Sequence, residues 1–238
     1  MKIAVSRAPG AERVVTPLEL FFDLVYVFAI GQLSHHLLEH VDLRTAAETV
    51  ILTLAVVYAW YMTAWGANWL DPGRLPVRLL LVGLMFASLL MSVSIADAFD
   101  ERAWLFVCGY LLLQIGRSTF LIMALRGRAL GEHFVNDLVW EVGTGALWIA
   151  GAIADGDARL VLWGIAVVAT QAGVWTLHWL PGRGRRIDLE HTEIAAEHLI
   201  ERLRLFFIIA LGETVLTMGS AFTDEPFELE RLLAASQF

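Results

Sequence analysis

The chain has 238 residues, of which 58% are hydrophobic and 18% charged, and its mean hydropathy is +0.63. No single soluble core hides that much apolar side chain, so the composition excludes an ordinary water-soluble domain and makes the lipid bilayer the expected solvent. Seventeen Lys and Arg against twenty-five Asp and Glu leave a formal charge of -8, which excludes nucleic acid as a partner, since polyanion binding needs basic surface.

Residues 1–16 are polar and read as a cytoplasmic tail. The apolar run that follows carries Glu19 and Asp23 and lacks a small-residue cleavage site, so it is expected to stay in the mature protein rather than act as a signal peptide. A spanning helix needs about 20 mostly apolar residues. Seven segments qualify: 17–38, 46–70, 76–96, 103–125, 134–154, 160–180 and 203–222. Pro17 and Pro76 suit a first helical turn, and Asp71-Pro72-Gly73 and Pro181-Gly182 are stop signals. The single Cys108 lies in the fourth segment and forms no internal disulfide.

Between the sixth and seventh segments, residues 188–204 repeat Leu189, Ala196, Leu199, Ile200 and Leu203 at helical spacing among Glu and His. This pattern predicts an amphipathic helix on the cytoplasmic surface or a cytoplasmic extension of the seventh span. Residues 223–238 read as an outer loop and the start of an eighth helix from Glu225, which the sequence ends before completing; a truncated chain is the expectation. The fold class expected is therefore all-α: a polytopic transmembrane bundle over 17–222, with seven spans and the beginning of another.

The basic residues orient it. Twelve, from Lys2 to Arg204, fall on one side of the alternating spans, against Arg44, Arg102, Arg159 and Arg231 on the other, with Arg117 inside the fourth span. That asymmetry places the N-terminus of the multi-pass chain in the cytoplasm.

Charges within spans cost at least ~2.5 kcal/mol each and usually face a partner or a water-filled cavity. Glu19 and Asp23 are four residues apart on one face of the first span, and Asp137 and Glu141 repeat that spacing in the fifth. Arg117 precedes Arg126 by nine residues and Glu213 follows Arg204 by nine, which puts both about 14 Å inside the cytoplasmic boundary. Arg117, which cannot deprotonate, is expected to pair with Glu213 or Glu141. The outer half carries no comparable cluster by this reading, with Glu48, Asp97 and Asp100 solvated at helix ends.

His35, His36, Glu39 and His40 sit at the outer end of the first span, where His36 and His40 are weak metal candidates and a solvated helix end is the plainer reading. Glu190, His191, Glu197, His198 and Glu201 read as a wet interfacial helix, and His178 with Trp175 and Trp179 as part of an aromatic belt. Trp60, Trp65, Trp69 and Trp104 also fall toward span ends. The sequence has no phosphate-binding loop, dinucleotide turn, His-Glu-x-x-His, Cys-x-x-Cys or nucleophile elbow, so it implies no cofactor and gives ATP-driven transport or standard hydrolysis no motif.

Two stretches carry a resemblance. Thr16-Pro17-Leu18-Glu19-Leu20-Phe21-Phe22-Asp23-Leu24-Val25-Tyr26 and, far downstream, Glu201-Arg202 followed by Leu205-Phe206-Phe207-Ile208-Ile209 and Leu211-Gly212-Glu213 resemble the signature of the bacterial low temperature requirement A membrane proteins. Leu203-Arg204 stands where that family often has His-Gly. The resemblance runs from about residue 13 to the end, implies a polytopic inner-membrane protein with further helices, and singles out Glu19, Asp23, Glu201, Arg202 and Glu213. It supplies no settled activity.

These readings converge on a transporter or channel-like protein in which Asp23, Arg117, Glu141 and Glu213 line a cavity open to the cytoplasm and exchange protons, cations or a small anionic solute. An intramembrane enzyme on a lipid or prenyl substrate, with Asp23 and Glu141 as acid and base, is the alternative, and a non-catalytic membrane scaffold is the third.

Overall fold

The first two helices begin on side-chain caps supplied by the sequence. The computed structural model describes residues 15–39, 42–184 and 196–224, and among these it contains seven helices and no strand. They are α1 (Pro17–Glu39), α2 (Leu43–Ala67), α3 (Leu75–Val93), α4 (Ala103–Ala124), α5 (Ala129–Ile153), α6 (Asp157–Trp175) and α7 (Ala196–Asp224). At the start of α1 the Thr16 backbone N–H and hydroxyl both donate to the Glu19 carboxylate at 2.9 Å, and the Thr16 hydroxyl accepts from the Glu19 N–H. This is a capping box with Pro17 in its first turn. Asp42 caps α2 by accepting from the Thr45 N–H at 2.8 Å, and Asp71 accepts from the Gly73 N–H in the turn before α3.

Helices α1, α3, α4, α5 and α6 pack in that order as successive neighbours, and α7 lies against α1. Helix α2 touches α1, α4, α6 and α7, and so fills the inside of the curve. Outward-facing residues recur at helical spacing and are apolar: Leu54, Val57 and Tyr61 on α2; Leu79, Val82, Phe86 and Leu89 on α3; Val161, Ile165 and Val168 on α6. A surface of such stripes is stable in hydrocarbon and not in water.

Five helices, α1, α2, α3, α4 and α6, are long and apolar enough to cross a membrane; the sequence reading of seven exceeds this. Helix α5 has 25 residues, enough length, but it carries Asn136, Asp137 and Glu141 on its buried side. Helix α7 opens with Glu197, His198, Glu201, Arg202 and Arg204 before turning apolar. Boundaries shift for similar reasons. The second half of the amphipathic stretch, from Ala196, is continuous with α7, which favours the extension over a separate surface helix. Helix α6 ends at Trp175, because Leu177 and His178 turn left-handed at φ 54° and 51°. The proposed eighth segment, from Glu225, lies outside the described residues.

Close approach holds the middle of the bundle. A Cβ on Gly109 of α4 would stand 2.7 Å from the Met91 backbone nitrogen and 2.9 Å from the Ala87 carbonyl oxygen of α3. On α5, a Cβ at Gly151 would strike the Trp163 ring of α6. Without a hydrophobic driving force between helices in lipid, such contacts carry the association. Gly109→Ala is expected to lower stability in detergent micelles by about 1–3 kcal/mol, while Gly143→Ala, with open space at its Cβ, shifts it by less than about 0.5 kcal/mol. Unfolding midpoints measured side by side check this; equal midpoints would mean that the α3–α4 contact is slack.

Candidate functional site

Because helices consecutive in sequence run in opposite directions, the start of α1, the end of α2, the end of α4, the start of α5, the turn after α6 and the start of α7 meet at one end of the bundle. The buried charges gather there as two ion-paired groups.

The first joins α4 to α5. The Arg117 guanidinium donates to the Glu141 carboxylate in a very short contact, donates to Gln114 Oε1 at 2.5 Å, and stands 3.9 Å from Asp137 Oδ2. Arg117 is 1% exposed, Asp137 0% and Glu141 4%. Gln114 in turn donates to the Tyr110 hydroxyl at 3.2 Å. Ser118, which follows Arg117 in sequence, donates to Asp137 Oδ2 at 3.2 Å. His178 places Nε2 3.3 Å from Asp137 Oδ1, and its ring lies 5.6 Å from that of His133, one turn before Asp137.

The second joins α1, α2 and α7. Arg202 donates to Asp23 Oδ1 at 2.5 Å and to Oδ2 at 3.4 Å, and the Trp60 indole N–H donates to Asp23 Oδ1 at 2.8 Å. One turn earlier on both helices, His198 Nε2 stands 3.4 Å from Glu19 Oε1. Phe22 lies under the Arg202 guanidinium, 5.8 Å from ring centre to carbon, and Phe206 packs on Trp60. Between the groups stands Tyr26, fully buried, its hydroxyl without a hydrogen-bond partner among the described residues and within electrostatic range of Arg117, Asp23 and Arg202.

Of the residues expected from sequence, Arg117 with Asp137 and Glu141 form one group and Glu19, Asp23 and Arg202 the other. Arg117 takes Glu141, not Glu213, because Glu213 lies on an exposed face of α7. Glu201 is half-buried and meets Arg204 at 3.4 Å. Several contributors were read differently or passed over. His198 is buried against Glu19 rather than wet, and its place one turn before Arg202 is the signal that could have found it. His178 faces Asp137 instead of a headgroup belt, and Trp60 serves Asp23. His133 stands in the same i, i+4 series as Asp137 and Glu141, a visible stripe, whereas nothing in the sequence marks Trp60.

The opposite end differs. Phe99, Phe106, Tyr110, Trp148 and Trp163 stack as a continuous aromatic plug with ring centres 4.8 to 6.2 Å apart. Arg159, read as an outer loop charge, is buried and bonds the carbonyls of Phe99, Asp100, Gly151 and Ala154. Glu48 is not solvated: it is buried, with Arg44 at 2.9 Å and His36 at 3.5 Å. His36 also bonds the Ala96 carbonyl at 3.1 Å, and His40 lies outside the described residues. No group of three or more His, Cys, Asp or Glu among the described residues is placed to hold a metal ion. An open depression of about 540 Å³ is lined there by Asp42, Arg44, Glu48, Asp100 and Arg159 among others.

The two sequence motifs thus clasp each other across 179 residues through Asp23 and Arg202. The family model for the bacterial low temperature requirement A protein matches residues 14–237. The chain belongs to that family. It is also 40% identical over 203 residues to an uncharacterized protein of Rhizobium meliloti (strain 1021), a match covering 84% of this chain and 49% of the relative. The chain therefore spans about half the length of that relative. No solved structure matches.

Within the family motif, Arg202→Gln strands Asp23 as a buried uncompensated carboxylate, and the loss of stability expected is about 3–5 kcal/mol. Adding Asp23→Asn removes the stranded charge and is expected to recover at least half of it. A double-substitution cycle on detergent-solubilised protein measures both; additive losses would show that the pair contributes no coupling.

Proposed function

We propose that this protein is a transporter or channel-like protein of the bacterial inner membrane, with its N-terminus in the cytoplasm and with α5 and α7 crossing beside the five apolar helices. The twelve-to-four distribution of basic residues supports that orientation, in which both ion-paired groups belong to the cytoplasmic half. Helix α5 supports its own inclusion: it has 25 residues and packs between α4 and α6, both apolar enough to span.

The observation that carries the reading is the Arg117–Glu141 pair at 1% and 4% exposure. A guanidinium stays charged at any working pH. Only two events release it from Glu141: protonation of the carboxylate, or arrival of another anion. Each moves a charge into or out of the middle of the bundle, which is the elementary act of ion-coupled transport. The aromatic plug above Tyr110 favours exchange with the cytoplasmic end. On this reading Arg117 receives a small anionic solute while Glu141 and Asp23 exchange a proton or cation.

Purified protein reconstituted in liposomes is expected to pass protons, monovalent cations or small organic anions faster than protein-free vesicles under an imposed gradient. Glu141→Gln and Arg117→Gln are expected to cut that flux roughly tenfold or more, the scale seen when a group acting directly on the moving proton is lost. Wild-type vesicles that pass none of the three under any gradient would overturn the proposal.

A further inference from the structure

We propose that His36 is a proton-operated latch at the end of the bundle opposite the two arginine–carboxylate groups: its charged ring joins the turn after α3 to α2, and loss of the charge undoes the joint. The inference does not depend on the transport reading, since it uses none of that site's residues.

The partners of the ring carry it. His36 Nδ1 lies 3.1 Å from the Ala96 carbonyl oxygen, and Nε2 lies 3.5 Å from Glu48 Oε2, an ion-pair spacing at which Nε2 has no hydrogen bond of its own among the described residues. Carbonyl and carboxylate oxygens only accept, and a neutral imidazole has one N–H and one bare lone pair. With the hydrogen on Nδ1, the lone pair of Nε2 faces the carboxylate; with it on Nε2, the lone pair of Nδ1 faces the carbonyl. Only the imidazolium, with a donor on each nitrogen, suits both neighbours at once. The proton belongs to the ring rather than to Glu48, because Arg44 Nε donates to Glu48 Oε1 at 2.9 Å and a guanidinium prefers a carboxylate to a carboxylic acid.

Burial makes the mismatch of the neutral ring costly. The His36 and Glu48 side chains are each 9% exposed, so little water intervenes between them. Protons nevertheless have access, since Glu48 lines the open depression of about 540 Å³. The contacts also run on: Arg44 donates to Asp157 of α6 at 2.6 Å. A series of contacts thus passes from the turn after α3 through α1 and α2 to α6, and its link with two protonation states near neutral pH is His36. Of the charged groups on the elements packed around the ring, His35 of α1 is exposed, Asp97 of the turn after α3 pairs with Arg102 at 3.1 Å, and Arg159 of α6 is bonded to carbonyls and to Asp155. The described charged residues of α7 lie near its start or, for Glu213, on its exposed face. Glu48, backed by Arg44, is the group set against the ring.

The charged ring stabilises the joint, so its contribution is present at acidic pH and fades as pH rises through the range in which imidazole titrates, about pH 5–8. Unfolding midpoints of the purified protein in detergent, measured at both ends of that range, test the latch. Wild type is expected to exceed His36→Gln at the acidic end and to lose that advantage at the alkaline end. Glu48→Gln keeps an oxygen for Arg44 and offers an amide N–H to the bare Nε2. It is expected to fall below wild type at the acidic end and to equal or exceed it at the alkaline end, a crossing that a merely structural side chain does not produce. Amide hydrogen exchange, corrected for the intrinsic effect of pH, gives a readout on wild type itself. Protection at the end of α1 and the start of α2 is expected to drop about tenfold or more across the range, the scale of one hydrogen bond to a charged group, and to stay level in Glu48→Gln. An advantage over His36→Gln that does not change with pH, Glu48→Gln below wild type by the same margin at both ends, or wild-type protection that stays level overturns the latch.

Discussion

Arg117 and Arg202 are each 1% exposed and cannot lose their charge, and the arrangement of the remaining helices follows from where their counter-ions are. A guanidinium in the bilayer costs at least ~2.5 kcal/mol even on the most lenient scale. Helix α4 must therefore lie against the carboxylates of α5, and α7 against Asp23 of α1 with Trp60 of α2 completing the carboxylate's hydrogen bonds. Lipid gives no hydrophobic incentive for helices to meet. What remains is polar pairing of this kind and backbone approach at positions such as Gly109 and Gly151.

A third buried guanidinium shows by contrast what sets the first two apart. Arg159 spends its donors on four backbone carbonyls and on Asp155, whose side chain is in solvent. Carbonyls do not titrate at any working pH, so that interaction has a single state and ties the α5–α6 turn to the α3–α4 turn. Arg117 and Arg202 are bound to buried carboxylates, which have two protonation states. The structural arginine lies beside the aromatic plug and the two arginine–carboxylate pairs lie at the opposite end. The difference between partners, rather than the presence of charge as such, separates glue from a candidate working site.

Most of the helical layout could be read from the sequence, because a 20-residue apolar run bounded by Pro, Gly and Asp has few other meanings. The count of spans was less secure where polar residues dilute the run, as Asn136, Asp137 and Glu141 do in α5. The Arg117–Glu141 pair was foreseeable, since a mid-span guanidinium requires an anion at similar depth. Depth alone could not choose between Glu141 and Glu213: the choice depends on which helices touch, and α7 packs on α1 and α2 rather than on α4. The same limit hid His178 and Trp60. One is aimed by a left-handed turn that no local residue type demands, and the other reaches a carboxylate 37 residues away.

The two pairs share a neighbour. Tyr26 lies three residues beyond Asp23 on α1, is fully buried with an unpartnered hydroxyl, and is within range of both guanidinium groups. In a medium this poor in water, charges are screened little. Arg202 with its neighbours attaches α7 to the bundle, and Arg117 joins α4 to α5, so the two guanidinium groups that hold these helices have one buried tyrosine as their common neighbour.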